Sequence, residues 1–123
     1  MIKANVILDH YKWKYKIENP ILYFKKKINK LNKISSFKNK NYEFSVLLTN
    51  NKKMKNLNFK FRKKNNHTDV LSFPLHSIEK KNVYIGDIAI SFEIVNKRSK
   101  TSNFFLELDK MWIHGYFHLI GYD

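Results

Sequence analysis

The sequence of 123 residues has no cysteine, three glycines, two prolines and no long apolar run. Without cysteine there are no disulfides and no thiolate ligands, so nitrogen and oxygen atoms must hold any bound metal. No segment approaches the ~18 apolar residues that a membrane-spanning helix needs, and the N-terminus lacks the apolar stretch of a signal peptide. These absences favour a cytoplasmic protein, and the length favours a single domain, residues 1–123.

Acidic residues and arginine are also scarce. The sequence has 24 lysines and arginines against 10 acidic residues, a formal net charge of +14, and only two of the basic residues are arginine. Such a charge is typical of proteins that bind nucleic acid. Lysine, asparagine, isoleucine, phenylalanine and tyrosine are all abundant and all have AT-rich codons, so base composition explains the charge equally well. Both explanations stay open at this point.

The hydrophobic pattern predicts an α+β fold. Alternating apolar residues predict strands that begin near Ile2, Phe44, Val70 and Val83. Helical spacing predicts three helices that begin after Asn19, Asn50 and Ser91, and a last helix capped by Thr101 or Ser102. The predicted order is β-α-β-α-β-β-α-α, a single domain with a mixed sheet of about four strands covered by helices.

Three aromatic residues near the N-terminus, Tyr11, Trp13 and Tyr15, alternate with lysines. This alternation predicts an extension of the first strand with one apolar face. An exposed strip on which nucleic-acid bases stack is the alternative.

The C-terminal end of the sequence carries the strongest functional signal. His114 and His118 are four residues apart, so on a helix they share one face and both imidazoles can reach one metal ion. Gly121 suits a left-handed helix end. At steps of three and four, the histidines continue the apolar stripe of Phe104, Leu108 and Met111. We therefore expect both to face the body of the protein, and two ordinary core histidines are the alternative to a metal site.

Three separated segments match one family. Arg62 in a basic stretch precedes Thr68-Asp69-Val70-Leu71-Ser72-Phe73-Pro74, and Ile85-Gly86-Asp87-Ile88-Ala89-Ile90-Ser91 and the histidine motif follow. In this order and at these intervals, they closely resemble the YbeY family of bacterial metal-dependent endoribonucleases, which act in ribosomal RNA maturation. The resemblance covers about the last half of the sequence by motif and the first half by element order only.

The resemblance implies a metal centre with one Zn²⁺ per chain. The family pattern is His-x3-His-x5-His followed by a further helix, and His114 and His118 match its first two ligands. The third histidine would fall at position 124, beyond this sequence, so we expect a chain that is C-terminally short relative to the family. Asp123 or the terminal carboxylate can replace the missing ligand, because carboxylates bind zinc at similar distances.

The resemblance also implies a functional role for Arg62, and the charge of the two lysines that follow it, Lys63 and Lys64, predicts that they bind RNA as well. Arg62 matches a functional arginine of the family, and its planar guanidinium suits bidentate contact with the scissile phosphate. A solvated helix end is its alternative role. Lys63 and Lys64 would add non-specific affinity for the RNA backbone. Asp87 would orient a ligand histidine or Arg62, or else make a structural bond at a strand end.

The function that the resemblance implies is single-strand-specific, metal-dependent cleavage of RNA in 16S ribosomal RNA 3′-end maturation and ribosome quality control. The expected partners are single-stranded ribosomal RNA and the ribosome or its precursors, with neither DNA nor a membrane. A non-catalytic, RNA- or ribosome-associated remnant is the first alternative, because the third ligand is absent. A zinc peptidase is a distant one, because such enzymes carry a glutamate base where this sequence has Gly115.

Overall fold

The computed structural model describes residues 1–34, 37, 40–62, 70–75 and 83–122, without the side chain of Arg62. Four strands lie within these ranges: β1 (Lys3–Leu8), β2 (Tyr42–Thr49), β3 (Val70–Pro74) and β4 (Val83–Ser91). Five α-helices lie in the same ranges: α1 (Trp13–Lys16), α2 (Pro20–Leu31), α3 (Asn51–Arg62), α4 (Phe92–Arg98) and α5 (Phe104–Leu119). The predicted α+β fold is confirmed.

The strands form one mixed sheet in the order β1-β2-β4-β3. β1, β2 and β4 are parallel, and β3 pairs antiparallel with β4 at the sheet edge. Because side chains alternate along a strand, one face of this sheet is apolar, and it is fully buried over β2 and β4 and partly buried over β1. That face carries Phe44, Val46, Leu48, Ile88 and Ile90, and it packs against α2 and α5.

Helix α3 covers the opposite face of the sheet. There Met54 packs on Leu71 and Ala89 in a second, smaller core cluster. Leu71 and Ala89 are paired across β3 and β4, so α3 lies over the antiparallel edge. The edge strand β3 therefore has α3 on one side and α5 on the other.

A half-buried carboxylate joins the two helices on the main core face. Asp109 of α5 accepts a hydrogen bond from the Tyr23 hydroxyl of α2 (2.6 Å) and one from the Trp112 indole (3.0 Å). Its second oxygen pairs with the Lys27 ammonium at 2.9 Å. Burial, with the bond to Asp109, raises the pKa of Tyr23, so this phenol stays a donor.

The predicted extension of the first strand is wrong. Residues Trp13–Lys16 form the short helix α1, in which Trp13 is fully buried and its indole N–H donates to the Thr49 carbonyl at 2.9 Å. Burying a large indole with its N–H satisfied stabilises the fold more than alternation along a strand would. Tyr11 and Tyr15 remain exposed, so the three rings do not form a stacking strip.

Helix starts follow the predicted caps at the second and third helices but not at the last. Asn19 accepts a bond from the Leu22 amide (3.1 Å), and Asn50 accepts one from the Lys53 amide (2.9 Å). The cap of α5 is Asn103, not Thr101 or Ser102, and its side chain accepts bonds from two amides of the first turn. Thr101 instead ends the 3₁₀ turn Ser99–Thr101. Among the described residues, no helix is long and apolar enough to cross a bilayer.

Candidate functional site

The two histidines meet at the C-terminal half of α5. The Nε2 atoms of His114 and His118 are 2.6 Å apart, and the rings stack with centroids 4.5 Å apart at an interplanar angle of 22°. In such a contact one nitrogen donates and the other accepts. The spacing of four residues thus places both imidazoles on one side of the helix, with their Nε2 atoms in direct contact.

The expectation that both histidines face the body of the protein is wrong for His114. His114 is exposed and His118 is half-buried. The buried side of α5 in this region consists of Met111, Trp112, Gly115, Tyr116 and Leu119. Phe104, Leu108 and Met111 of the predicted stripe are buried, but beyond Met111 the buried side continues through Gly115 and Leu119, so that glycine rather than histidine faces the sheet. The histidine pair consequently borders solvent, where an ion or a substrate can reach it.

Gly115 explains why the buried side runs through its own position, since it allows α5 to approach β4 closely. A Cβ atom at position 115 would lie 2.9 Å from Cγ2 of Ile88, a side chain that is completely buried. The Gly115 carbonyl oxygen also lies 3.4 Å from the Ser72 hydroxyl of β3. A helix backbone is thereby seated directly on the antiparallel edge of the sheet.

Gly86 makes a second close approach at the same edge. Its φ is +139°, and a Cβ atom there would lie 2.3 Å from the Phe73 carbonyl oxygen and 2.9 Å from Cδ2 of Leu119. The segments that contain Ser72-Phe73-Pro74, Gly86-Asp87-Ile88 and the histidine motif are therefore in mutual contact. Ser72 and Gly86 both belong to the motif segments, but nothing in the sequence indicated that they pack against the helix of the histidines.

The histidine pair fits two positions of a zinc coordination shell. Two nitrogen ligands of one tetrahedral zinc stand roughly 3.4 Å apart at Zn–N distances of ~2.0–2.1 Å. The observed separation of 2.6 Å is shorter, so the direct contact must open slightly to admit an ion. Among the described residues, no group of three or more histidine, cysteine, aspartate and glutamate side chains is placed to hold a metal. This part of the chain therefore brings two imidazoles together, without a third side chain of these types beside them.

The predicted phosphate-binding residues begin with the last residue of α3. Arg62 is the last residue of that helix, and its side chain, Lys63, Lys64 and Asp123 lie outside the described residues. The ring of Phe61 packs on the ring of Phe73 with centroids 5.7 Å apart, which holds the end of α3 against β3. Because α5 packs on the other side of β3, the end of α3 and the histidine turn flank one edge strand.

Asp87 has a partner that the sequence did not indicate. It is exposed and lies on the same face of β4 as Ala89, which is the α3 side of the sheet. The Tyr84 hydroxyl, which also contacts Ser45, donates to its carboxylate. Burial and then the bond to Asp87 raise the pKa of Tyr84 to about 12, so the phenol is a donor at neutral pH. The observed bond is thus to a neighbour on its own strand, and the predicted contact with the Arg62 side chain lies outside the described residues.

The fold and this site define an α+β protein with paired histidines beside the edge of a four-stranded mixed sheet. The sequence model of the Endoribonuclease YbeY family matches residues 8–123. The chain belongs to this family.

Curated relatives and a solved structure agree with the assignment. The chain is 40% identical over 127 residues to the Endoribonuclease YbeY of Pelagibacter ubique, covering 100% of this chain and 83% of that protein. It is 38% identical over 130 residues to the Endoribonuclease YbeY of Ehrlichia canis, covering 100% of this chain and 79% of the relative. The solution structure of TM1509 from Thermotoga maritima is similar with a TM-score of 0.65 and 31% identity, over 100% of this chain and 74% of that one.

Proposed function

We propose that this protein is a metal-dependent endoribonuclease that cleaves single-stranded RNA, with one Zn²⁺ held by His114 and His118. The observation that carries the proposal is the convergence of the two Nε2 atoms, 2.6 Å apart, on a solvent-bordering turn of α5. Family membership supports the reaction class, because the family and the relatives named above are called endoribonucleases.

Each group has a separate task in this proposal. When bound, the ion supplies activation of water and neutralisation of charge for phosphodiester hydrolysis. Arg62 binds the scissile phosphate through its planar guanidinium, and Lys63 and Lys64 bind the neighbouring RNA backbone. The net charge of +14 attracts the polyanion to this surface.

The biological role that we propose is 16S ribosomal RNA 3′-end maturation and ribosome quality control in the cytoplasm. Family membership and the motif resemblance support this role. The substrate is single-stranded ribosomal RNA, and the ribosome or its precursor particles are the partners. The histidine pair lies on the solvent side of α5 near its C-terminal end, where a flexible strand can pass with its phosphates accessible.

A metal-reconstitution assay tests the proposal. The purified chain is stripped with a chelator, dialysed, and reloaded at defined zinc concentrations, and bound metal and cleavage of a single-stranded 16S 3′-end fragment are measured. We expect one zinc per chain and cleavage that rises with zinc occupancy, with the same sequence as a duplex or as DNA left intact. No bound zinc and no cleavage at any zinc concentration would contradict the proposal.

A non-catalytic RNA-binding remnant is the second candidate. The observation that favours it is that the described residues bring two imidazoles together at the proposed site and no third histidine, cysteine, aspartate or glutamate side chain with them. The reconstitution assay separates the candidates, since a remnant binds the RNA but neither retains zinc nor cuts the strand. For the zinc peptidase, position 115 would have to carry a base, yet it is a glycine packed against Ile88.

The arginine of the proposed site can be tested against the second arginine of the chain. Arg62→Lys is expected to lower cleavage by roughly tenfold or more, because lysine keeps the charge but cannot form two parallel hydrogen bonds to phosphate. Arg98→Lys, at the exposed end of α4, is the matched control and should leave cleavage unchanged. Equal activity of the two variants would contradict the bidentate role.

The two lysines after Arg62 are tested by the salt dependence of RNA binding. Lys63→Gln and Lys64→Gln should each make the slope of log K against log salt concentration less negative by about 0.7, because each removes one contact with a phosphate of the single strand.

A further inference from the structure

An aromatic patch borders the histidine pair on the solvent side of α5. It consists of the rings of Phe117 and Tyr122, with the aliphatic side chain of Ile113 beside them. These three side chains and His114 line a shallow groove of about 840 Å³. The ring of Tyr122 meets that of Phe117 edge to face, with centroids 5.7 Å apart. Tyr122 is 64% exposed and Phe117 is 37% exposed. Two aromatic rings thus stand open to solvent beside the proposed catalytic groups.

The end of α5 fixes the position of these rings. The Gly121 amide donates to the His118 carbonyl (3.2 Å), and the Tyr122 amide donates to the Phe117 carbonyl (2.9 Å). With φ of +100° at Gly121, this is a Schellman helix end, which commonly brings together the side chains of the residues at positions 117 and 122. An aliphatic side chain would satisfy that contact equally well. The helix end therefore explains the contact between the rings, but not the exposure of an aromatic face toward the groove.

The charges around the groove suit an anionic ligand. Asp109, the acidic residue that lines it among the described residues, is already neutralised by Lys27 and bonded to Tyr23 and Trp112. Lys110 lines the same groove with 63% of its side chain exposed, and its ammonium lies 3.4 Å from a Glu107 oxygen. Among the residues that the structure describes here, a phosphate beside the aromatic patch would therefore meet a lysine and no unpaired carboxylate.

We propose that the aromatic patch is a nucleobase-binding subsite, in which the ring of Tyr122 stacks on one base of the single-stranded RNA beside the cleaved bond, while Phe117 supports the Tyr122 ring edge to face. The identity of the ligand as RNA rests on the proposed function. Stacking uses the π-face that every base has, so the subsite accepts any base but requires one that is unpaired. Its effect is to hold the adjoining phosphate next to His114 and Lys110, so these aromatic residues position the substrate and take no part in bond cleavage.

Replacement of Tyr122 tests the stacking. Tyr122→Leu preserves an apolar contact with Phe117 but has no π-face, whereas Tyr122→Trp retains one. Binding of a fluorescein-labelled single-stranded RNA dodecamer is measured by anisotropy in the presence of a chelator, so that the strand stays intact. We expect roughly tenfold weaker binding for Tyr122→Leu and unchanged or tighter binding for Tyr122→Trp. Thermal unfolding of each variant checks that the helix end is preserved.

Two controls separate stacking from charge and from general surface effects. An oligomer of the same length with abasic riboses throughout should bind the wild type and Tyr122→Leu equally, since it offers phosphates but no base. Tyr15→Leu removes another tyrosine that is 71% exposed, on α1. Helix α1 contacts α5 through Trp13 and Phe104, roughly 15 Å along the helix axis from His114. Tyr15→Leu should bind RNA as the wild type does.

The outcomes distinguish this subsite from the proposed function. If RNA binding depends on Tyr122 and on the presence of bases but no zinc concentration supports cleavage, the subsite stands and the proposed catalysis fails. If the wild type cleaves RNA while Tyr122→Leu binds and cleaves equally well, the subsite is wrong and the catalysis stands. Absence of RNA binding by the wild type overturns the subsite. It is also overturned if Tyr122→Leu loses as much affinity for the abasic strand as for the normal strand. A dimer that Tyr122→Leu dissociates, with RNA binding unchanged, would assign the patch to a second copy of the chain.

Discussion

Replacing His114 by alanine is expected to abolish zinc binding and to lower RNA cleavage by at least about a hundredfold, because a catalytic metal supplies several kcal/mol of stabilisation to the transition state. Removal of one imidazole leaves His118 as the remaining ligand among the described residues, and one nitrogen does not hold zinc against solvent. Equilibrium dialysis followed by metal analysis gives the stoichiometry, and cleavage of the labelled 16S fragment gives the rate.

The same substitution should leave the fold intact. His114 is exposed, its observed contact is with the ring of His118, and alanine is the best helix former. The free energy of unfolding in urea should therefore change by less than about 1 kcal/mol. A loss of metal binding without a loss of stability would locate the effect at the site.

His10→Ala is the matched control. This histidine is half-buried, with its ring near Phe92 and its Nδ1 atom 3.2 Å from the Asn50 amide nitrogen, at the opposite end of the core from the pair. Zinc stoichiometry and cleavage should be unchanged in this variant, whereas His118→Ala should behave as His114→Ala does. If His114→Ala retains one zinc per chain with unchanged affinity, the proposed metal site is wrong.

Local patterns in the sequence are sufficient to predict most of the elements. Alternation of apolar residues marks the strands, and an asparagine side chain that accepts a bond from an amide three residues later marks helix starts at Asn19 and Asn50. Each of these features depends on residues within a few positions of one another. The spacing of His114 and His118 is a feature of the same kind, and the meeting of their rings follows from helix geometry alone.

Contacts between distant parts of the chain are what the sequence leaves undetermined. Trp13 departs from the predicted strand because its indole reaches the Thr49 carbonyl, 36 positions away. The orientation of the end of α5, which leaves His114 exposed, depends on Gly115 meeting Ile88 and on Ser72 lying against the Gly115 carbonyl. Neither partner is visible in the local pattern around the histidines. A stripe of apolar residues predicts that a helix has a buried side, but which neighbouring residue faces the sheet depends on the shape of that sheet.

Substitution of Gly86 by alanine is expected to be the most destabilising single change at the site, lowering the free energy of unfolding by roughly 4 kcal/mol. At φ of +139° any side chain is strained, and the new Cβ would lie 2.3 Å from the Phe73 carbonyl oxygen, a backbone atom held in the pairing of β3 with β4. Because the Cβ would also lie 2.9 Å from Leu119, the end of α5 should shift and zinc affinity should fall with stability. Urea unfolding of the metal-free chain measures the first effect, and zinc titration measures the second.

Gly121→Ala separates backbone strain from steric exclusion. Gly121 also has a positive φ, +100°, but a Cβ atom there would meet nothing within 4 Å. Its replacement should cost only the strain of a left-handed alanine, about 1–2 kcal/mol. The difference between the two variants is then the contribution of the close approach between β3, β4 and α5. If Gly86→Ala is no more destabilising than Gly121→Ala, the sheet edge can yield to a methyl group. In that case close packing at Gly86 does not hold the histidine helix in its place.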